Sequence, residues 1–254
     1  MQRIRHLTSR QRTESSNYLL GAMLAFNAGA INAGGFLVVH MYTSHMTGFA
    51  SMLADNLVLG NTRLVLGAVG ALLAFTAGAA FTAIQVNWAR QHGLRSQYAL
   101  TLLVEAVLLL VFGLLGATLG RQTPFAVPLT VLVLSFTMGL QNALVSKISS
   151  SQIRTTHMTG IVTDIGIELG KLLYWNRMAL PPESQVRANR MKLRLLGTLL
   201  GAFVGGGVVG AAGFKYIGFI WVVPLALLLL ALCLPPLYAD LRSLLARNAL
   251  RQGH

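Results

Sequence analysis

From about residue 18 to residue 236 the chain alternates long apolar runs with short polar breaks. Six runs, about 18–40, 64–88, 98–118, 126–148, 195–213 and 216–234, come up to the roughly 20 residues that a helix needs to span about 30 Å of hydrocarbon. Two more, about 45–59 and 157–174, are too short for a comfortable crossing. Apolar residues run on without the strict alternation of barrel strands, so helices satisfy the backbone inside the bilayer. The last run is predicted to stop at Pro235-Pro236, and the tail from Tyr238 to Arg251 to form a short amphipathic surface helix, basic on its polar side.

The polar breaks repeat. Thr43-Ser44-His45-Met46-Thr47-Gly48 and Thr155-Thr156-His157-Met158-Thr159-Gly160 stand 112 residues apart and differ only at Ser44 against Thr156. Upstream, Gly29-Ala30-Ile31-Asn32-Ala33 resembles Gly139-Leu140-Gln141-Asn142-Ala143 at an offset of 110. This predicts an internal duplication: a basic tail over 1–17, a first membrane unit over 18–120, a second over 121–236, and a basic tail over 237–254.

Composition agrees with a membrane protein. The chain is 54% hydrophobic and only 11% charged, too few polar residues to coat a soluble globule of this size. A net charge of +13 would suit nucleic acid, but Arg and Lys crowd the ends and loops without aromatic interleaving, so no nucleic-acid partner is expected. The charge instead reads as the cytoplasmic excess of a multi-pass protein in a bacterial inner membrane, with both termini cytoplasmic. The N-terminal run carries Asn27 and Asn32 and is too long for a signal peptide, so it is expected to stay as the first helix. One cysteine, Cys233, excludes an intrachain disulfide and a cysteine metal cluster.

Two architectures remain. If both short segments turn back, six helices cross and two three-span units form an inverted repeat, with only Arg63, Arg121 and Lys215 outside. If both cross, eight helices form parallel units, with Arg90, Arg95, Lys147, Arg154 and Lys215 outside. The charge rule favours the first. The expected fold is therefore an all-α polytopic membrane protein of six spanning helices plus two short re-entrant half-helices.

Candidate chemistry follows from that architecture. With Ser44 and Thr156 as N-caps, each repeated motif starts a half-helix inside the membrane, presenting unpaired N–H groups and a partial positive charge. Two such starts meeting near the midplane would bind an anionic or carbonyl-bearing solute. Ser44, His45, Thr47, Gly48, Thr156, His157, Thr159 and Gly160 are the binding candidates, with Asn32 and Asn142 lining the cavity or bridging helices. The competing reading makes the motif a packing device, its glycines allowing close contact and its His and Thr bonding across helices. Carboxylates in a membrane are costly, which makes Asp164, Glu168, Glu105 and Asp55 proton-coupling candidates; Glu168 could equally pair with Lys171. Gly197, Gly201 and Gly205 give a small-xxx-small spacing that signals packing and leaves a homo-oligomer open. The run Gly166 to Lys171 lacks the spacing of a phosphate loop. No metal, cofactor or catalytic motif is expected.

These residues resemble the YoaK family of small bacterial inner-membrane proteins, a domain of unknown function. The resemblance covers about 18–235 and rests on Gly29 to Ala33, the first His-Met-Thr-Gly, Gln141 to Ala143 and, most specifically, Thr155 to Gly160; Phe49 stands where many relatives carry Asn. A helix, an extended stretch and a half-helix repeated twice is also similar to the uracil-permease and sulfate-transporter fold, in a much shorter chain. The leading expectation is a secondary transporter or channel for a small solute, proton-coupled and not an enzyme. The alternative is a non-transporting membrane subunit or an intramembrane enzyme.

Overall fold

The computed structural model describes residues 14–94, 96–118, 126–148, 156–175 and 185–252. Arg95, Arg121, the Ser149–Gln152 run, Arg154, Thr155 and the Pro181–Glu183 loop lie outside them. Among the described residues the structure is all helical: α1 (Glu14–Val39), α2 (Met46–Leu59), α3 (Thr62–Gln91), α4 (Ala99–Thr118), α5 (Ala126–Ile148), α6 (Met158–Leu173), α7 (Arg190–Tyr216), a 3-10 turn (Phe219–Trp221) and α8 (Val222–Gln252). Six of these helices are long and apolar enough to cross a membrane, while α2 and α6 are short.

The longest helix corrects the reading of the C-terminus. Instead of stopping at Pro235-Pro236, α8 continues through both prolines to Gln252. Each proline removes an amide and costs about 3 kcal/mol in a helix interior. Tertiary contacts offset this: Pro236 is buried, and beyond it Asp240 is buried and accepts the Ser96 amide (2.8 Å) and hydroxyl (2.5 Å) at the start of α4. In the same way α7 begins earlier than its apolar run, at Arg190, because Asn189 caps it by accepting the Lys192 amide at 2.9 Å.

Two tight helix pairs form the frame, α1 on α7 and α3 on α5. Each pair crosses where glycine meets backbone. A Cβ on Gly29 would lie 2.0 Å from the Phe203 carbonyl oxygen, and one on Gly206 would lie 2.0 Å from that of Phe26. In the other pair, Gly78 would meet the Phe136 oxygen at 2.1 Å and Gly139 that of Phe75 at 2.0 Å. All four helices therefore carry Phe-x-x-Gly, and each glycine faces the partner's phenylalanine carbonyl. Removing the side chain lets Cα–H groups approach carbonyls directly, which replaces the hydrophobic drive that helices lack in lipid.

Contacts also fix helix directions. Along α1 and α7, Phe26 meets Gly206, Ala30 meets Gly210 and Gly34 meets Phe214, so they run parallel. Along α3 and α5, Gly70 meets Leu132 and the Thr82 hydroxyl donates to the Leu140 carbonyl at 3.0 Å, again parallel. In contrast α1 and α5 run antiparallel: Gln141 Nε2 donates to the Leu24 carbonyl (3.2 Å), while Leu134 lies against Gly35. Helices α4 and α8 are antiparallel too, with Ser96 at Asp240, Gly113 at Val222 and Gly116 at Phe219. The main apolar core lies among α1, α4, α5, α7 and α8, built on Leu24, Ile31, Leu102, Phe112, Leu144 and Leu229.

Gly29→Ala and Gly139→Ala are each expected to destabilise the protein by about 1–3 kcal/mol, because the intruding methyl meets backbone that no rotamer change can move. Gly201→Ala, with open space around it, is expected to stay within about 0.5 kcal/mol. Thermal unfolding of the three variants in detergent checks the contrast.

Candidate functional site

Both repeated motifs lie inside the helical layer, each tied to the helix before it. Helix α1 ends at Val39, His40 adopts a positive φ of 54°, and the Phe36 and Tyr42 rings stack at 4.6 Å as the chain reverses. The Ser44 hydroxyl then donates to Asn32 Oδ1 at 2.9 Å. Asn32 stands seven residues before the end of α1, which puts the motif about 10 Å inside that end at 1.5 Å per residue. In the second copy Asn142 Nδ2 donates to the Thr156 hydroxyl. Asn142 is six residues before the end of α5, about 9 Å inside it. The repeated asparagines thus find the repeated hydroxyls.

These bonds change the expected caps. Ser44 and Thr156 do not cap α2 and α6, because their hydroxyls face the asparagines. The N-cap residues are His45 (φ −91°, ψ 72°) and His157 (φ −85°, ψ 57°), neither with a side-chain cap bond. Their carbonyls take the first intrahelical bonds, from Phe49 at 3.2 Å and Ile161 at 3.1 Å. The preceding amides, of Thr47 and Gly48 and of Thr159 and Gly160, belong to the helix start, where donors have no intrahelical partner. Each imidazole folds over the first turn: a Cβ on Gly48 would lie 2.7 Å from His45 Nδ1, and one on Gly160 2.3 Å from His157 Cδ2. That contact is why His-x-x-Gly recurs as a unit.

Asn32 is buried, Ser44, Gly48, Asn142, Thr156 and Gly160 are half-buried, and His45, Thr47, His157 and Thr159 are exposed. The two starts are not one contiguous cluster. Helix α2 docks on α3 and α6 on α7, and the short helices do not pack on each other. From the α1–α5 register, Asn32 and Asn142 differ in level by roughly 10 Å along the bundle axis. Phe49 is buried with Val39, Ala68, Ala71 and Val131, which ties α2 to α3 and α5 through apolar contact.

The four carboxylate candidates fall into three environments. Asp55 is exposed on α2. Asp164 pairs with Lys192 at 3.2 Å, and Glu168 is buried, pairs with Lys171 at 2.9 Å and accepts the Asn189 amide at 2.7 Å. That amide and Lys171 hold the Glu168 carboxyl below its usual range; together the two acids tie α6 to the start of α7. The position 112 residues earlier is Asn56, also buried, whose carbonyl takes the Asn61 amide at 3.0 Å as Asn61 caps α3. Glu105 is different: it is fully buried in α4 beside Asn27. Asn27, Thr101 and Asp240 are buried polar residues that sequence reasoning did not place at a site. The signal for Asp240 was a carboxylate isolated in a basic tail. Among the described residues no group of three or more His, Cys, Asp or Glu could hold a metal ion.

Six long apolar helices with two short ones, and polar motifs inside the layer, define a multi-pass membrane protein. The chain belongs to the family described as "Protein of unknown function (DUF1275)", whose model matches residues 20–234. It is similar to the UPF0700 transmembrane protein YoaK of Bacillus subtilis (strain 168), 26% identical over 209 residues, which are 82% of this chain and 88% of that protein. No solved structure matches.

The Glu168 contacts carry a pH dependence. Because its carboxyl is held below the usual carboxylate range, its contribution is fully present above the ordinary value of an unfolded Glu and is lost as pH falls through the lowered folded value. Thermal midpoints between pH 7 and pH 3 are expected to fall more steeply in the parent protein than in Glu168→Gln, which starts lower.

Proposed function

We propose that this protein is a secondary transporter or channel, and not an enzyme, for a small anionic or carbonyl-bearing solute that docks at the starts of α2 and α6. The observation that carries the reading is the pair of half-helices whose first turns lie about 10 Å inside the layer, each with a histidine folded over its glycine. Helix starts within a membrane offer N–H groups and positive potential to anions, and backbone of this kind is tolerated where it meets protein or a water-filled cavity.

The helix directions support an inverted repeat. Matching helices, α1 with α5 and α4 with α8, run antiparallel, as a two-fold axis lying in the membrane plane requires. In that arrangement α2 and α6 turn back from opposite faces, six helices cross, and both termini lie on the cytoplasmic side of a bacterial inner membrane. The solute is then reached alternately from the α2 side and the α6 side. Asp164 and Glu168, being paired, serve as a tether for α6, and Asp55 is exposed, which leaves proton coupling to Glu105.

A docking subunit is the second reading, favoured by Gly197, Gly201 and Gly205, which face open space on α7. Two experiments separate the readings. In a Cys233→Ser background, single cysteines at Asn61 and Thr123 are expected to label from the periplasm and one at Gly93 is not; the opposite pattern makes the units parallel and removes the inverted relation between the two helix starts. In proteoliposomes, a panel of small carboxylates and carbonyl-bearing ring solutes is expected to contain one with saturable counterflow. His157→Ala, folded as the parent, is expected to lower that flux about tenfold or more, the equivalent of one hydrogen bond of about 1.4 kcal/mol. A stoichiometric membrane partner on purification, with no saturable solute, favours the subunit.

A further inference from the structure

Glu105 is the one carboxylate candidate that is buried without a cation. Its side chain is fully enclosed where α4 packs on α5 and α8, among Leu102, Ala106, Leu109 and other apolar core residues. The polar groups facing it are neutral: Asn27 from α1 and the Cys233 thiol from α8. Thr101 lies one turn before it on α4, and Gln141 on α5 reaches α1 one turn before Asn27, at the Leu24 carbonyl. Asp240, the carboxylate on α8, lies two turns beyond Cys233 and is engaged by Ser96.

Unpartnered atoms define what this place is shaped to hold. Both Glu105 carboxyl oxygens, both Asn27 amide atoms, Thr101 Oγ1 and Gln141 Oε1 are buried with no hydrogen-bond partner. An ionised carboxylate offers only acceptors, so it can answer the Asn27 NH₂ but leaves Asn27 Oδ1 facing a second acceptor. A carboxylic acid has one donor and one acceptor and answers both atoms at once. An unpaired charge at this depth would also carry the several kcal/mol of desolvation that no ion pair offsets.

We propose that Glu105 is a proton-binding site, a carboxylic acid paired with the Asn27 amide that takes up and releases one proton per transport cycle. The step is a transfer of H⁺ alone: on uptake the Oε–H bond forms as hydronium gives up its proton and becomes water, and on release the bond breaks as water takes the proton. Gln141 Oε1 and Oδ1 of the adjacent Asn142 are also unpartnered, and the Asn142 amide holds Thr156. The proposal rests on the transport reading for its cycle, and on burial and hydrogen-bond matching for its site.

Infrared spectroscopy of the full chain in lipid at pH 7 tests it without any solute. A protonated-carboxyl stretch is expected, absent from Glu105→Gln, shifted in frequency but present in Asn27→Leu, unchanged in Asp164→Asn, and moved to lower frequency in D₂O as the proton exchanges. A spectrum unchanged by Glu105→Gln overturns the proposal, and so does a band that Asn27→Leu leaves in place or that never exchanges. If Glu105→Gln does not fold, the Asn27→Leu shift and the exchange decide. Solute counterflow without such a band overturns the proton site and leaves the transport reading standing. An exchanging band in a protein that moves no solute supports the site while the transport reading falls.

Discussion

Everything in this molecule depends on backbone touching backbone at four glycines. Helices in lipid gain little from burying apolar side chains against each other, since the tails around them are as apolar. Gly29, Gly78, Gly139 and Gly206 solve this by bringing carbonyls and Cα–H groups together where no side chain intervenes. Such a crossing has nothing to repack. Each pair, α1 with α7 and α3 with α5, is therefore a closely joined body, and the α1–α5 contact between the two bodies is lighter. The short helices ride one on each body, α6 on α7 and α2 on α3.

This explains why the motifs can sit within the layer at all. A reversal of chain inside hydrocarbon is tolerated only where its polar groups are met. The repeated Asn–Ser and Asn–Thr bonds meet them on the inner side, and each imidazole lies over the first turn of its half-helix on the outer side. Fastening each motif to the preceding helix, rather than to the other motif, keeps the two starts on separate bodies.

Much of the fold was legible in the residues because the bilayer fixes run lengths. The eight helical segments match the apolar runs closely, apart from α7, extended by the Asn189 cap, and α8, carried through Pro235-Pro236 by the Asp240–Ser96 contact. Both exceptions are tertiary effects, invisible to local propensity. The repeated motif and its asparagines were legible as a set, but their pairing was not: Asn32 meets Ser44 only because the chain turns back after Val39. Phe-x-x-Gly was not read from the residues, where only Gly29 and Gly139 stood out as part of the repeat, since the contact uses the phenylalanine carbonyl, which any residue would supply. Among the acids, spacing could suggest the Glu168–Lys171 pair, whereas the Lys192 partner of Asp164 lies on another helix and Glu105 is set apart by what does not face it.

The ends of the two half-helices differ in a way that concerns the membrane as a material. Helix α6 runs out into Tyr174 and Trp175, both exposed, whereas α2 runs out into Leu57, Val58 and Leu59. Amphipathic aromatic rings settle at the headgroup level, and bare aliphatic side chains follow the hydrocarbon wherever its boundary lies. Helix α6 thus carries a depth gauge that α2 lacks. Thinning or thickening the bilayer tilts or shifts the unanchored helix first, so lipid chain length acts on the two halves of this protein unequally.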